Sequence, residues 1–355
     1  MTPSEAQIAQ RLEAVDAFIE GLLPTNPQFQ GLYDMLRYHV GWLDRGLQRV
    51  EGPAGKKLRP TLCLLIADTL GSGWEQAVPA AAAVELVHNF SLVHDDIEDR
   101  SPLRRYRETV WTVWGDAQAI NVGDAVLILA QRALAEAGGF PAETGLAALR
   151  LLNQACLGLC EGQYLDLLWE RQVGVTVEEY LEMIERKTAR LFECAAELGA
   201  LCSGASPQAQ RQAALFGSSL GLAFQAVDDL LGVWGPETAT GKTAELDLAN
   251  HKKSLPAVLG LATPASAEAD RFRALFSLDR PLTGEETAEA RRLLETMGIH
   301  EQAAAYARRY HDEALRHLDH AAVRERATAL EEFAEMTLAE AYGGSSSAST
   351  ALQTK

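Results

Sequence analysis

Apolar residues recur at helical spacing along almost the whole chain. In residues 6–23, "AQIAQRLEAVDAFIEGLL", they fall at Ile8, Leu12, Val15, Ile19 and Leu22, the alternation of threes and fours that gives a helix one buried face. The same pattern predicts helices at 5–22, 28–50, 60–70, 76–98, 117–137, 143–169, 177–202, 207–231, 252–261, 284–296, 299–318 and 322–341. Glycine and proline punctuate the gaps, as in "EGPAG" at 51–55, "GGFP" at 138–141, "GASP" at 204–207 and "GPETATG" at 235–241, where they stop helices and set turns. No stretch alternates apolar and polar residues for long enough to predict a strand. No break is long and polar enough to divide the chain, so the expectation is one all-α domain over 1–342. The last residues, "GGSSSASTALQTK" at 343–355, are low-complexity and are expected to be disordered.

Composition narrows the function. Hydrophobic residues make up 47% of the 355 but aromatics only 7%, and the Ala/Leu dominance favours helix over strand. A net charge of −17 argues against nucleic acid or an anionic membrane surface as partner. The five cysteines, at 63, 156, 160, 194 and 202, lack secretory spacing and are expected to be reduced and buried. Cys156 and Cys160 are one helical turn apart, without the two further ligands a zinc site requires. No apolar run reaches membrane-spanning length, and the N-terminus is polar and amphipathic rather than leader-like. The expected compartment is the cytoplasm.

Chemistry concentrates at residues 92–107, "LVHDDIEDRSPLRRYR". An apolar helix ends there in four acids and then meets four arginines. Asp95 and Asp99 are i and i+4, so both carboxylates leave one helix face about 6 Å apart along the axis. His88 lies two turns earlier on that face. Paired carboxylates are costly without a cation, and hard oxygen donors with room for water suit Mg²⁺. Ser101-Pro102 stops the helix, so Arg104, Arg105 and Arg107 can fold back as donors to phosphate oxygens. The charge reversal is what a metal-bound diphosphate requires. A solvated helix end with surface ion pairs is the plainer account of the same residues.

A second apolar helix ends similarly, in "FQAVDDLLG" at 224–232, with Asp228 and Asp229 but Gly232 at the i+4 position. "GKTAELDLANHKKSLP" follows, carrying Lys242, Asp247, Lys252 and Lys253. Upstream, "GKKLRP" at 55–60 opens a helix with a basic cluster, and "KTARLF" at 187–192 puts Lys187 in an apolar helix, where an unpaired ammonium is expensive. "GPETATGKT" is not a P-loop, because its glycines are spaced by five residues and no buried strand precedes it. A His-Asp metal phosphohydrolase would account for "HNFSLVHDD" but not for the second acid block or "GKKLRP".

Taken in order, "GKKLRP", "ELVHNFSLVHDDIED", "RRYRETVW", "EGQYLDL", "KTARLF", "FQAVDD" and the "KKSLP" loop resemble the trans-isoprenyl diphosphate (polyprenyl) synthase family, nearest to its short-chain geranylgeranyl and farnesyl members. The resemblance runs from about residue 30 to 340. It implies an antiparallel helix bundle around a deep central cavity, a homodimer, and three Mg²⁺ ions in head-to-tail transfer of a prenyl group from an allylic diphosphate to isopentenyl diphosphate. By that resemblance Asp95, Asp99 and Asp228 ligate Mg²⁺, with Asp96 and Asp229 behind them. Arg104, Lys187, Lys242 and Lys252 hold the allylic diphosphate, and Lys56, Arg59, His88 and Arg105 hold isopentenyl diphosphate. Thr188 and Gln225 flank the developing cation. Gln163 and Asp166 match a family pattern whose plainer role is packing. Phe90, five residues before Asp95, is the expected floor of the chain pocket, with Ser91 and Val87 as neighbours, and implies a C20 product with C15 next.

The resemblance implies a third acid where this chain has Gly232, so weaker metal binding is expected, together with some gain from Gly232→Asp. Ala54 before "GKKLRP" is a smaller departure. Gly232 also leaves open a non-catalytic partner subunit of a heteromeric synthase, and the fold leaves open a terpene cyclase.

Overall fold

The computed structural model describes residues 5–50, 55–71, 73–136, 141–170, 172, 174–235, 246–320 and 328–339. Lys242, Ala54 and the tail at 343–355 lie outside the described residues. The order is α1 (Glu5–Leu22), α2 (Gln30–His39), α3 (Leu58–Thr69), α4 (Val78–Glu98), a two-stranded hairpin of β1 (Leu103–Arg104) and β2 (Arg107–Glu108), α5 (Val110–Trp114) and α6 (Asp116–Ala135). Then come α7 (Ala142–Trp169), α8 (Val177–Ile184), a π-helical turn (Glu185–Ala189), α9 (Arg190–Cys202) and α10 (Pro207–Trp234). The chain closes with α11 (Leu246–Ala249), α12 (Leu255–Ala262), α13 (Ala267–Phe276), α14 (Gly284–Thr296), α15 (Ile299–His320) and α16 (Thr328–Ala339).

The all-α expectation holds apart from the short hairpin and the short helices Val110–Trp114 and Leu246–Ala249, with further local differences in the longer helices. The helix expected over 28–50 stops at His39, because Gly41 takes φ +91° and the chain turns through a loop closed by a Leu43–Arg49 bridge. The helix expected over 177–202 is interrupted by the π turn. Ala267–Phe276 is a helix that the periodicity did not single out. Ser266 caps it through the Ala269 N–H, and Phe272, Leu275 and Phe276 bury its inner face, so tertiary packing carries a segment with modest intrinsic signal.

The buried apolar side chains form two clusters that share α10. Ala213, Phe216 and Leu220 belong to one, with α3, α4, α6 and α9; Ala226, Val227 and Leu230 belong to the other, with α8 and α12–α15. Ala80, Ala81, Ala82 and Ala83 on α4 are fully buried, small enough to let neighbouring helices enclose it on several sides. α4 packs along α6, and α10 along α9 and α15. A cavity of about 540 Å³ opens where the ends of α4 and α10 meet α7, α8 and the π turn.

Candidate active site

The first acid face is a stripe down α4. His88, Ser91, Asp95 and Asp99 all line the cavity, as their spacing of threes and fours requires. The helix closes in a Schellman motif: the Ser101 N–H donates to Asp96 O at 3.0 Å and the Arg100 N–H to Ile97 O at 3.3 Å, with Arg100 left-handed at φ +51°. That satisfies the last carbonyls and turns the chain sharply. The next residues form the hairpin, whose central Arg105 and Tyr106 both have positive φ (52° and 61°), the sign a two-residue hairpin turn needs. Non-glycine residues in that region cost on the order of 1 kcal/mol each. The hairpin is held by Arg104, which pairs at 2.8 Å with the buried Asp96, and by Arg105, whose guanidinium fills the space a side chain at Gly55 would take. Arg104 and Arg105 reach the cavity. Arg107 corrects the expectation that it folds over the site: it donates to Leu43 O at 2.5 Å and stacks on Tyr38, tying the hairpin to the 41–50 loop.

Burial, helped by Asp99 and Glu98, pushes the Asp95 carboxyl up to about 6 against the pull of Lys187 and Arg104. Asp96 does not line the cavity; it serves Arg104.

A cationic set lies beside it. Lys56, Arg59, His88 and Arg105 share the cavity wall, whereas Lys57 turns back to grip both oxygens of Asp16 on α1 at 2.6 and 2.5 Å. Burial, against Glu85 and Asp228, lowers the Arg59 guanidinium to about 10. Its face covers Phe192 at 4.5 Å, and its Nε has no hydrogen-bond partner among the described residues. Burial and then Arg59, Arg105 and Arg104 hold His88 well below the usual imidazole range, so it is neutral. The 3.5 Å contact from Arg59 to His88 Nε2 makes that nitrogen the acceptor and assigns the ring proton to Nδ1.

The opposite wall is built by the π turn and α10. A side chain at Gly162 on α7 would collide with the Lys187 backbone, so the two segments touch directly. The widened turn, of a kind frequent at functional sites, carries Lys187 and Thr188 on the cavity wall. Lys187 bonds Asp166 at 2.5 Å. Burial pushes its ammonium down, but Asp166 and Asp95 outweigh it and keep the pKa raised. Asp166 therefore has an electrostatic task beyond packing, and Gln163 donates to Glu98 at 2.6 Å.

On α10, Asp228, Asp229 and Gln225 line the cavity, but the two acids differ. Asp229 is 5% exposed and accepts from the Tyr180 hydroxyl, from the Leu255 N–H at 2.6 Å and from Gln225 Nε2 at 2.9 Å. Its lone pairs are largely spent on protein donors. The fixed Gln225 turns its Oε1 to accept from Thr188 Oγ1 at 2.7 Å, which leaves Thr188 oxygen lone pairs free to face the cavity. Tyr180 was missed from sequence; its position two turns before Lys187 is the only signal. Lys252 also lines the cavity and Lys253 beside it donates to Glu170 O and His251 O.

Among the described residues, no three acid, imidazole or thiol side chains form a ready-made cation cage. Two acids on α4 face one on α10, with space between them. That donor set fits Mg²⁺, which keeps waters and shares phosphate oxygens with a substrate. The unpartnered Arg59 Nε and the elevated Asp95 carboxyl both match an anion and a cation entering together. Of the chain-length candidates only Ser91 reaches the cavity wall. Val87 is fully buried, and Phe90 is buried edge-on to His94, 5.1 Å between ring centres. Phe90 is rotated about 140° from Asp95 around the helix, so its ring stands behind the wall.

An all-helical bundle whose cavity joins two acid-bearing helix ends to separate basic loops defines a class of diphosphate-handling protein. The polyprenyl synthetase family profile matches residues 40–296. A (2E,6E)-farnesyl diphosphate synthase of Mycobacterium tuberculosis is 41% identical over 280 residues, 78% of this chain and 77% of that protein. A geranylgeranyl diphosphate synthase of the same species is 41% identical over 268 residues, 75% of each chain. The crystal structure of a polyprenyl synthetase from Streptomyces coelicolor superposes with a TM-score of 0.82 at 41% identity, covering 91% of this chain and 96% of that one. The chain belongs to the polyprenyl synthetase family.

Proposed function

We propose that this chain is a short-chain prenyltransferase that condenses isopentenyl diphosphate with an allylic diphosphate, releasing mainly a C20 product with C15 next. The observation that carries this reading is the convergence of two separate cationic sets and two acid faces on one cavity. Its inner wall is apolar, with Leu159, Leu191 and Phe224. The relatives named for farnesyl and geranylgeranyl diphosphate synthesis support the same chain-length class.

In the reaction, the allylic C–O bond breaks, diphosphate leaves with the electron pair, the isopentenyl double bond attacks, and a proton is lost from the adjacent carbon. Asp95, Asp99 and Asp228 would hold the Mg²⁺ ions, three by the family resemblance, and the bound metal would supply charge neutralisation to the diphosphate. Arg104, Lys187 and Lys252, with Lys242, clamp the allylic diphosphate. Lys56, Arg59, His88 and Arg105 hold isopentenyl diphosphate, and the neutral His88 does so without adding charge. Thr188, oriented through Gln225 and Asp229, points a negative dipole end at the cation. Asp96 acts by fixing Arg104. A cyclase has no use for the second cationic set, which favours chain elongation.

We assign the active form as a single-domain protomer in a cytoplasmic homodimer. An apolar stripe on α6 and α7, with Ile120, Ile128, Leu157 and Tyr164 at 46, 54, 62 and 65% exposure, supports pairing through a second copy. Five free thiols suit a reducing compartment. The test is incubation of the purified chain with Mg²⁺, isopentenyl diphosphate and each allylic primer, followed by product sizing. C20 diphosphate is expected, and no elongated product from any primer overturns the reading. Phe90 is buried beside the cavity-lining Ser91 on the same helix, and as the pocket floor that the family resemblance implies, its truncation in Phe90→Ala is expected to lengthen the product by one or more five-carbon units. An unchanged distribution from the folded variant moves the floor elsewhere.

A further inference from the structure

α4 carries one more acid on the stripe that ends in Asp95 and Asp99. Glu85 lies one turn before His88 and about 15 Å along the axis from Asp95, too far to share a cation with it. The residue is 7% exposed and stands behind the cavity wall rather than in it. A buried carboxylate is costly unless cations and hydrogen bonds answer it. No step of the reaction described above uses it.

Asn89, one turn later and 2% exposed, fixes one side of Glu85. It donates to Glu85 Oε1 at 2.9 Å and to the Glu85 carbonyl at 2.8 Å, and it is bonded in turn to His39 on α2. Glu85 Oε2 has no hydrogen-bond partner among the described residues. Burial raises the carboxyl, and Lys57, Asn89, Arg105 and Arg59 pull against it. These cations come from two other elements, the start of α3 and the hairpin turn. Lys57 is gripped from its other side by Asp16. Arg59 and Arg105 line the cavity. Arg59 lies over Phe192 at 4.5 Å and reaches His88 at 3.5 Å, while the Arg105 guanidinium rests against Gly55. Against burial, Glu85 is the charge that most supports each guanidinium, ahead of Asp228 for Arg59 and of Asp96 for Arg105.

We propose that Glu85 is a positioning residue for the isopentenyl diphosphate site: from behind the wall its carboxylate holds the Arg59 and Arg105 guanidiniums in place and aimed at the cavity, so that the diphosphate meets donors already set. This inference rests on the reading of that wall as the isopentenyl diphosphate site. Stability alone does not call for the arrangement, because apolar side chains of similar volume often replace a buried ion pair without loss. A guanidinium left in the wall without its counter-charge moves toward water and loses its aim. Glu85 ties together two arginines that reach the wall from separate segments, and α4 supplies both this tie and His88 between them.

The test is steady-state kinetics at saturating Mg²⁺ with each substrate varied in turn, using the full chain and checking each variant's fold by circular dichroism. Glu85→Gln keeps the shape and the Asn89 contact but removes the charge. It is expected to raise the apparent KM for isopentenyl diphosphate by about tenfold, the scale seen when the partner behind a binding group is lost, with kcat and the allylic KM held. Glu85→Asp keeps the charge one carbon further back and is expected to fall between Glu85→Gln and the unaltered chain. Asn89→Ala releases the carboxylate from its anchor and is expected to raise the same KM by about threefold, the worth of one hydrogen bond; it decides the matter if Glu85→Gln does not fold. An unchanged KM for isopentenyl diphosphate in these variants overturns the proposal. So does a lower one, because the carboxylate would then only compete with the substrate. Equal rises in both KM values, a fall in kcat alone, or a Glu85→Asp no better than Glu85→Gln overturn it as well. Absence of condensation by the unaltered chain would instead overturn the reading of the whole site.

Discussion

Asp95 and Asp99 leave one helix four residues apart, whereas Asp228 faces the cavity with its neighbour Asp229 committed to protein donors. The α4 face is continuous in sequence, and its helix end, turn and arginine hairpin follow within a dozen residues. The α10 face is assembled from distant pieces: Tyr180 and Leu255 fix Asp229, Asp229 fixes Gln225, and Gln225 binds Thr188. One face concentrates charge on the cavity wall. The other spends its charge on positioning. The difference teaches that a repeated Asp-Asp pattern does not imply a repeated function.

The largest expected effect separates the faces directly. Asp95→Asn is expected to lower kcat by about 10²–10³-fold, the scale of one lost electrostatic stabiliser, with the circular dichroism of the helices unchanged. Near-normal turnover at ordinary Mg²⁺ would remove α4 from the metal site. Asp229→Asn is expected to act differently, lowering stability by about 1–3 kcal/mol through its buried hydrogen bonds, and chemical denaturation measures it. Should Asp229→Asn keep full stability and shift only the Mg²⁺ dependence, the two acid pairs are equivalent after all.

Next in size is the separation of the two cationic sets. Arg59→Ala removes a charge-assisted donor worth about 1.5–3 kcal/mol. The apparent KM for isopentenyl diphosphate is therefore expected to rise by about 10–100-fold, with the allylic KM little changed. Equal changes in both would merge the sets. Tyr180→Phe sharpens the α10 side: with one of Asp229's donors gone, kcat is expected to fall by about threefold to tenfold, the worth of one hydrogen bond, with both KM values held. A change in KM alone would contradict a positioning role.

The smallest effect concerns pH behind the α4 face. Burial, then Arg104, Arg105 and Arg107, push the His39 imidazole down to about 3 from its usual 6.5. The folded state therefore favours neutral His39. Its contribution is present above pH 6.5 and is lost as pH falls toward 3. His39→Gln is expected to flatten the fall in thermal midpoint between pH 6.5 and 4. Parallel curves for the two proteins would show that His39 is not desolvated in the fold.

The legible part of the molecule was its local part. The stripe from His88 to Asp99 needs only helical spacing, and Ser101-Pro102 marks the stop, so the acid face and the helix end could be read directly; the two-stranded hairpin that follows could not. Ala267–Phe276 escaped because its charges blur the periodicity, while Phe272 and Leu275 find their partners across the fold. The π turn has no sequence signature of its own; it lies where Gly162 of α7 meets the Lys187 backbone directly. Tyr180 and Asp229 are 49 residues apart. Such a pairing exists only after packing.

The central claim is that the two acid faces act together on one cation-bound diphosphate. Calorimetric titration of inorganic pyrophosphate into the unaltered chain, Asp95→Asn and Asp228→Asn, each with Mg²⁺ and with chelator, tests it most directly. The account predicts binding by the unaltered chain only with Mg²⁺, and a large loss in both variants. Equal binding in chelator, or undiminished binding by either variant, would contradict it.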